Sequence, residues 1–507
     1  MGDISITTPG VEKLLQKINP KKAAGPDQIS ARFLQSTAHE LAPIVSLIYD
    51  QSLQTGQIPD DWKMANIAPI FKKGDRTKPV NYRPVSLTSI LSKTLEHIIV
   101  SGIMNHLESN NILLDTQFGF RSKRSCETQL LLTTDDIMKS LDRRKQVDMA
   151  ILDFEKAFDK VPHKRLSTKL KFYGIQGCTL RWIETFLSGR QQRVVVDGCE
   201  SSYAPVLSGV PQATVLGPTL FLVYINDIAD NTTSTIKLFA DDCLVYRDIS
   251  SPDDRSKLQK DLDTLVRWSD TWQMSFNIKK CHVMHVTRST KKEHQYTMRG
   301  QPLTSVDHHP YLGVELDNKM TFNHHIDRQT SKAKWMLGFL QRNLKSCPIN
   351  LKEQAYFSLV RPNLEYCATV WDLQQTTKMT QLEGVQHRAA RFVLNRPWRR
   401  SERDSITDML NQLKWSSLQT RRLHNKIIVM YKIMYNVVYI PPAYKPIRSN
   451  TCTRANHNMK LNQIRCNTDS YMNSFFPHMI PVWNKLSASL AEAPSVEALK
   501  SGLQRTM

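Results

Sequence analysis

The chain has 507 residues, of which 40% are hydrophobic and 23% are charged, close to the averages of globular proteins. This length excludes a small single domain, and the composition excludes a disordered chain, so about two to four packed units are expected. The formal net charge of +21 indicates a polyanionic partner. Nucleic acid is the leading interpretation. A membrane surface is the alternative, although the basic residues are spread along the chain rather than gathered on one amphipathic helix.

The cysteines and the apolar stretches exclude several further classes of protein. None of the nine cysteines belongs to a Cys-x-x-Cys pair, which argues against a disulfide framework or a zinc finger and favours a reducing intracellular compartment. The N-terminal segment MGDISITTPG lacks an apolar signal core, and no other targeting signal is recognised. Glycine and proline interrupt the apolar stretch before Tyr224, so no transmembrane helix is predicted.

Three zones are predicted in chain order. Residues 1–146 mix helices with loops that are punctuated by proline. Residues 147–320 alternate β-type runs with helical stretches, which predicts a sheet with helices packed on one face. Residues 321–507 are basic and carry apolar residues at helical spacing, which predicts a mainly helical region. Within it, residues 440–458 break the pattern and are predicted to form a linker or mobile loop.

Carboxylates stand at the ends of two predicted strand units. The β-type run VDMAILDF reaches Asp153, which is therefore expected at the exit of a strand. The short runs KLFA and CLVYR are joined by Asp241 and Asp242, a spacing that predicts a tight hairpin with both acids at its tip. Acids in turns are more often helix caps or solvated residues, so each one alone is a weak signal. Asp159 is interpreted as structural, in a helix and facing elsewhere.

If the hairpin pairs beside the Asp153 strand, three carboxylates converge and repel one another unless cations neutralise them. Oxygen ligands select hard ions, so Mg²⁺ is the expected metal and Mn²⁺ the alternative. Two such ions, roughly 3.5 to 4 Å apart, would activate an attacking 3′-hydroxyl and stabilise a leaving pyrophosphate oxygen. The arrangement therefore predicts nucleotidyl transfer.

Eight ordered blocks resemble those of non-LTR (LINE-type) reverse transcriptases, closest to the jockey-like group. They span about 290 residues and read KKAAGPDQI, NYRPVSLTSILSKTLEHI, QFGFRSKRSCETQLL, AILDFEKAFDKVPH, SGVPQATVLGPTLFLVYIND, KLFADDCLVY, FNIKKC and YLGVELD. The C-terminal stretches QHRAARFVL, LNQLKWSSLQTRR and MNSFFPHMIPVWNKL resemble the region that lies C-terminal to the polymerase in such elements. The resemblance implies an RNA-directed DNA polymerase that extends a DNA 3′-hydroxyl primer on an RNA template with deoxynucleoside triphosphates.

The fold implied by the resemblance is α+β, a right-hand polymerase with fingers, a ferredoxin-like palm and a helical thumb, followed by a mainly helical C-terminal region. The reverse transcriptase domain is expected over about residues 50–320. The expected parts are an N-terminal extension with fingers (1–146), the palm with part of the fingers (147–320), a thumb-like region (321–400) and a basic helical region (401–507). Nucleus and cytoplasm are the implied locations, and the oligomeric state is left open.

Matching positions imply roles for individual residues. Asp153, Asp241 and Asp242 match the family's catalytic acids and metal ligands. Lys280, in FNIKKC, matches the proton donor to pyrophosphate, with a solvated surface lysine as the alternative. Tyr311 and Gly313, in YLGV, match the turn that grips the primer end.

Four further residues match substrate contacts. Arg83 would bind triphosphate oxygens, and Gln212 would lie beside the incoming nucleotide. Phe158 would sit against the sugar C2′ and disfavour a 2′-hydroxyl, with a core phenylalanine as the alternative. Arg121 would contact the triphosphate or the template backbone, and an exposed loop arginine without a ligand is its alternative.

The sequence departs from the family pattern at Ala213, and two alternative functions remain open. The family has glycine after the Pro-Gln pair where this chain has Ala213, which matters if the position needs φ > 0 or close approach of the template. A catalytically impaired nucleic-acid-binding remnant is therefore the main rival, and a domesticated or intron-encoded reverse transcriptase is the second. No endonuclease is recognised before residue 25, so a truncated element, a processed fragment or a separate gene piece is expected.

The C-terminal tryptophans have two possible roles. They could stack on nucleic-acid bases, but core packing is the expected role for most of them; they are Trp335, Trp371, Trp398 and Trp415.

Overall fold

The computed structural model describes residues 1–372, 376–396, 406–449 and 457–505. The part before the central sheet contains six helices and two strands: α1 Thr8–Gln16, α2 Ala31–Ser36, α3 Ala38–Thr55, α4 Asp60–Lys63, β1 Met64–Phe71, β2 Tyr82–Leu87, α5 Ile90–Ser109 and α6 Cys126–Asp142. The middle of the chain contains β3 Gln146–Leu152, α7 His163–Phe172, α8 Gly177–Leu187, β4 Gln191–Val196, β5 Cys199–Glu200, β6 Ala204–Pro205, α9 Leu216–Ile225, β7 Thr235–Phe239, β8 Asp242–Ile249 and α10 Pro252–Trp272.

Short strands come next and then give way to helices. The strands are β9 His282–Val286, β10 Thr297–Met298, β11 Gln301–Pro302, β12 Thr304–Ser305, β13 His308–Tyr311 and β14 Val314–Asp317. The helices are α11 Asn323–Asn343, α12 Ile349–Ala355, a π-helical turn Tyr356–Val360, α13 Arg361–Glu365, α14 Ala368–Trp371, α15 Thr376–Val393, α16 Ile406–Leu413, α17 Leu418–Met434, α18 Asp469–Met472, α19 Phe475–Asn484, α20 Ala488–Ala491 and α21 Val496–Arg505. The predicted mixture of sheets and helices is confirmed. No helix in the described ranges is both long and apolar enough to cross a membrane.

Two sheets organise the first two thirds of the chain. The outer sheet has the order β2-β1-β4-β5, with β6 paired to β4, and β4 runs parallel to β1. The central sheet has the order β12-β9-β3-β8-β7, in which β3 is antiparallel to both β8 and β9. The strand that ends at Leu152 therefore lies between two partners, and its C-terminal end is held on both sides.

The central sheet is covered on both faces, so the prediction of helices on one face is wrong. Met149 and Ile151 of β3 belong to a core shared with α6 and with the C-terminal helices. Ala150 and Leu152 point the other way, into a core shared with α7, α9 and α10. Because successive side chains of a strand face opposite sides, a strand that is buried throughout needs cover on both.

The C-terminal helical region docks on the sheet through acids of α6. Asp136 accepts hydrogen bonds from Tyr246 (2.5 Å), which lies in the sheet, and from Tyr444 (2.7 Å), which lies in the C-terminal region. Asp142 accepts from the backbone N–H groups of Asn467 (2.9 Å) and Thr468 (2.8 Å). The region is therefore joined to the sheet by buried polar contacts as well as by a common hydrophobic core.

The C-terminal predictions have different outcomes. Trp371 and Trp415 are buried in the core, whereas Trp335 is 65% exposed and stacks on Phe339 of the same helix. Trp398 lies outside the described residues. Of the predicted linker at 440–458, residues 450–456 also lie outside the described ranges, while Tyr444 before them is bonded to α6.

Candidate active site

The pairing of β3 with β8 brings the predicted acids together. Leu152 is opposite Cys243, so continuation of the same register places Asp153, the next residue, beside Asp242. Strands β7 and β8 form a hairpin that pairs Phe239 with Asp242, which leaves Ala240 and Asp241 as its two-residue turn. The predicted strand exit and hairpin are therefore present, and the hairpin lies next to the Asp153 strand.

The three carboxylates repel one another electrostatically. Burial, reinforced by the charges of Asp241 and Asp153, raises the pKa of Asp242 to about 6, although part of this residue reaches solvent. Burial also raises the pKa of Asp241, and the charge of Asp153 adds to this effect. The protein alone therefore disfavours full ionisation of these carboxylates, and a bound cation would stabilise their charged form.

Lys280 lies against Asp153. The backbone N–H of Asn277 donates to the Asp153 carbonyl (2.8 Å), and a 3₁₀ turn over Ile278–Lys280 comes directly after it. As a result the Lys280 Nζ is 3.2 Å from Asp153 Oδ2, while 64% of the lysine side chain stays exposed. The chain segment FNIKKC is therefore attached directly to the end of β3, which explains how a lysine 127 positions downstream reaches this acid.

The donor atoms suit a hard cation that shares its coordination with substrate. Asp153 Oδ2 is buried and accepts no aligned hydrogen bond from the described residues. Within the same ranges, no three His, Cys, Asp or Glu side chains form a ready-made metal cage. Mg²⁺ commonly binds through one or two carboxylates and takes its other ligands from water and phosphates, so a partial cage of oxygens fits this ion.

Two basic residues of the outer sheet act on the acids from a distance. Lys72, directly after β1, lowers the pKa values of both Asp241 and Asp242, and Arg83 on β2 lowers that of Asp241. In each case burial outweighs the cation, so the net shift remains upward. Both cations are exposed. The sequence predicts Arg83 but not Lys72, because a lysine in the exposed loop sequence FKKGDR carries no distinctive signal.

Gln212 is held by Asp159. The Gln212 amide donates from Nε2 to Asp159 Oδ1 (2.9 Å), and the Ser208 hydroxyl donates to the Asp159 carbonyl (3.0 Å). Asp159 ends a 3₁₀ turn, Ala157–Asp159, rather than lying within a helix. The prediction that Asp159 faces elsewhere is therefore wrong, since the turn brings its carboxylate to the loop that carries Gln212.

A buried glutamate fixes the other end of the same loop. Glu96 is fully buried, and its Oε2 accepts from the N–H groups of Val215 (2.8 Å) and Leu216 (2.9 Å) at the start of α9. Burial raises the pKa of Glu96 despite these bonds. Between the two anchored ends, Ala213 adopts φ 65°, in the left-handed region. The position therefore has the positive φ that the expected glycine indicated, and an alanine adopts it.

Phe158 is half-buried between Phe221 and Phe120. Its ring stacks on Phe221 of α9, with centroids 4.5 Å apart, and meets Phe120 edge-on at 6.2 Å. The Phe158 carbonyl accepts from the N–H of Val210 (2.7 Å) in the Gln212 loop. One face of the Phe158 ring therefore packs on the core, while part of the side chain remains accessible.

The predicted substrate contact of Arg121 has to be corrected. The side chain is buried, and it donates from Nε (2.9 Å) and Nη2 (2.5 Å) to the two oxygens of Glu108 and from Nη1 to the Leu114 carbonyl (2.7 Å). A guanidinium used in this way fastens the segment after α5 to the body of the protein. The Arg121 guanidinium is therefore neither free to bind a phosphate nor exposed on a loop.

Leu312 and Gly313 form a tight turn between β13 and β14, and Tyr311, directly before the turn, pairs with Val314. The Tyr311 ring is buried, and its hydroxyl accepts from Gln129 Nε2 (2.5 Å), so this side chain faces the core. Leu312 and Gly313 have φ values of 46° and 84°. Any contact with a ligand is therefore left to the turn and not to the tyrosine ring.

Comparisons with known proteins show which family the chain resembles. Residues 70–316 match the family described as reverse transcriptase (RNA-dependent DNA polymerase). The chain is 30% identical over 421 residues to the RNA-directed DNA polymerase from mobile element jockey of Drosophila funebris, covering 80% of this chain and 45% of that protein. The corresponding Drosophila melanogaster protein is 28% identical over 422 residues, covering 80% and 46%.

A third relative is the probable RNA-directed DNA polymerase from transposon X-element of Drosophila melanogaster, 26% identical over 408 residues that cover 76% of this chain and 44% of that protein. The chain spans about half the length of these curated relatives. Its alignments extend well beyond the family region that contains the acids, and the resemblance drawn from the ordered blocks is confirmed. The chain therefore carries a reverse transcriptase domain and is similar over most of its length to the RNA-directed DNA polymerases of non-LTR retrotransposons.

Proposed function

We propose that this chain is an RNA-directed DNA polymerase that extends a DNA 3′-hydroxyl primer on an RNA template. The observation that carries the proposal is the register of β3 with β8, which places Asp153 beside Asp242 at the end of the central sheet. The net charge of +21 suits template and primer, whose phosphate backbones attract lysine and arginine without regard to sequence.

The fold supports an assignment of polymerase parts. The central sheet and its helices are the proposed ferredoxin-like palm, since β3, β7, β8 and β9 follow a βαββαβ chain order. The sheet of β1, β2 and β4–β6 is proposed to be the fingers, and the helices from α11 onward to be the thumb and C-terminal region. The proposed thumb and the C-terminal region share one hydrophobic core with the palm, so we propose that all three act as a single body.

Asp153, Asp241 and Asp242 are the proposed ligands of two Mg²⁺ ions, with Mn²⁺ as a substitute. When bound, such ions activate the primer hydroxyl and stabilise the leaving pyrophosphate oxygen. Lys280, whose ammonium is 3.2 Å from Asp153, is proposed to donate a proton to the pyrophosphate as it leaves.

Residues around the acids would hold the incoming deoxynucleoside triphosphate. The charges of Arg83 and Lys72 act on Asp241 and lower its pKa against the larger effect of burial, and we propose that these two residues bind the triphosphate oxygens. Gln212, oriented by Asp159, is proposed to lie beside the base pair that forms. Phe158, held against Phe221, is proposed to exclude a 2′-hydroxyl.

We expect Asp241→Asn to abolish primer extension, lowering the rate by at least about a thousandfold, because the substitution removes a ligand charge at the reacting phosphate. The measurement is extension of an annealed DNA primer on an RNA template with Mg²⁺ and deoxynucleotides. Asp263→Asn, an exposed acid on α10, is the matched control and should leave the rate unchanged. Equal rates for wild type and Asp241→Asn would contradict the proposal.

We expect Phe158→Ala to admit ribonucleotides, because removal of the ring opens the space that a 2′-hydroxyl needs. The ratio of kcat/KM for a deoxynucleotide to that for the matching ribonucleotide should fall by about tenfold or more. Phe172→Ala, at a phenylalanine that is 83% exposed, controls for loss of an aromatic ring. An unchanged ratio would assign Phe158 to the core alone.

We expect Ala213→Gly to stabilise the protein by about 1 kcal/mol, because a non-glycine residue with positive φ is strained. Chemical denaturation measures this, and Ala498→Gly in α21 should instead destabilise by about 1 kcal/mol. We expect wild type to extend primers and the glycine variant to do so faster. If only the glycine variant extends them, the second candidate function, an impaired nucleic-acid-binding remnant, is correct.

A further inference from the structure

Tyr366 lies directly against the turn between β13 and β14. Its hydroxyl donates to the Leu312 carbonyl (2.9 Å), although the residues are 54 positions apart and Tyr366 is 45% exposed. A Cβ placed on Gly313 would be 2.9 Å from the Cε1 atom of the Tyr366 ring, which is closer than side chains pack. Gly313 therefore provides both the positive φ of the turn and the space for the tyrosine ring.

The hydrogen bond holds a strained peptide. Leu312 and Gly313 both have positive φ, the pattern of a two-residue hairpin turn that normally selects asparagine or glycine at its first position. Leucine is disfavoured there, because its Cβ crowds the backbone in the left-handed conformation. Tyr366 binds the carbonyl of this same strained residue, so the tyrosine fixes the turn where it is conformationally weakest.

The segment that carries Tyr366 is also attached to the first turn of α6, where the Thr369 hydroxyl donates to Glu127 Oε1 (2.5 Å). Burial raises the pKa of the thiol of Cys126, the first residue of α6, and the groups that also act on this pKa include both Tyr366 and Asp242. Burial likewise raises the pKa of Tyr311, and the charge of Asp242 raises it further. One side chain from the helical region thus links the β13–β14 turn to the neighbourhood of the acids.

We propose that Tyr366 is a positioning residue for the primer end. It holds the Leu312–Gly313 turn at a fixed place relative to Asp242, and the primer backbone rests on that turn. The inference rests on the proposed function, because it requires a primer in the site. It adds a specific contact by which the helical region beyond β14 controls the geometry of the reaction without touching the reacting atoms.

The test is Tyr366→Phe, which keeps the ring and removes only the hydroxyl. The measurement is single-turnover addition of one deoxynucleotide to a bound primer–template, together with the Kd of the primer–template and the thermal stability. We expect the addition rate to fall about tenfold, since a small displacement of a reacting group lowers the rate steeply, while the Kd and the KM for the nucleotide change less than about twofold. A role confined to structure would lower thermal stability and leave the rate constant of the folded enzyme unchanged.

Tyr435→Phe is the matched control. Tyr435 is 37% exposed and its hydroxyl also donates to a backbone carbonyl, that of Ala491 (3.0 Å), within the C-terminal helices. It should leave the addition rate unchanged. If wild type adds nucleotides and Tyr366→Phe does so equally fast, or if both phenylalanine variants slow the reaction alike, the positioning role is refuted and the proposed function stands. If wild type adds none, the proposed function fails and the inference with it.

Discussion

The register of β3 against β8 is the constraint on which the rest of the site depends. A shift of one residue would exchange the two faces of β3 and move Asp153 away from Asp242. Burial on both faces prevents such a shift, because Met149 and Ile151 fill one core while Ala150 and Leu152 fill the other. The position of the proposed catalytic acids is therefore set by apolar packing on either side of the strand.

The cover on the two faces comes from different parts of the chain. On one side it is supplied by helices between and after the strands, as in many α+β sheets. On the other side it is supplied by α6 and by the C-terminal helices, which share one hydrophobic core. Two acids of α6, Asp136 and Asp142, also accept hydrogen bonds from the C-terminal region. The C-terminal region thus stabilises the strand that leads to Asp153, and through Tyr366 the helical region also reaches the β13–β14 turn.

Local sequence is sufficient for features that depend on few neighbours. The strand before Asp153 and the hairpin at Asp241 and Asp242 can each be predicted from a short pattern, because a strand end and a two-residue turn are specified within a few residues. The positive φ of Ala213 is indicated only by the glycine that the resembling family has at this position.

Features that depend on distant partners cannot be read in the same way. Nothing near Arg121 in the sequence indicates its bidentate pair with Glu108, and the bond from Gln212 to Asp159 joins residues 53 positions apart. The cover of the sheet on its second face requires a region more than 200 residues downstream of β3. Lys72 and Tyr366 lie in no motif, and they are recognised only from the structure, through the charge of Asp242 and the carbonyl of Leu312 respectively.

Iron-mediated cleavage can show whether Asp153, Asp241 and Asp242 bind a divalent metal together. Fe²⁺ with ascorbate and oxygen produces radicals that cut the backbone close to a bound ion. We expect cuts near both Asp153 and Asp241, suppressed by excess Mg²⁺ and lost in Asp153→Asn. Cleavage spread along the chain, or cuts at these sites that persist in Asp153→Asn, would mean that the three carboxylates do not hold a metal ion together.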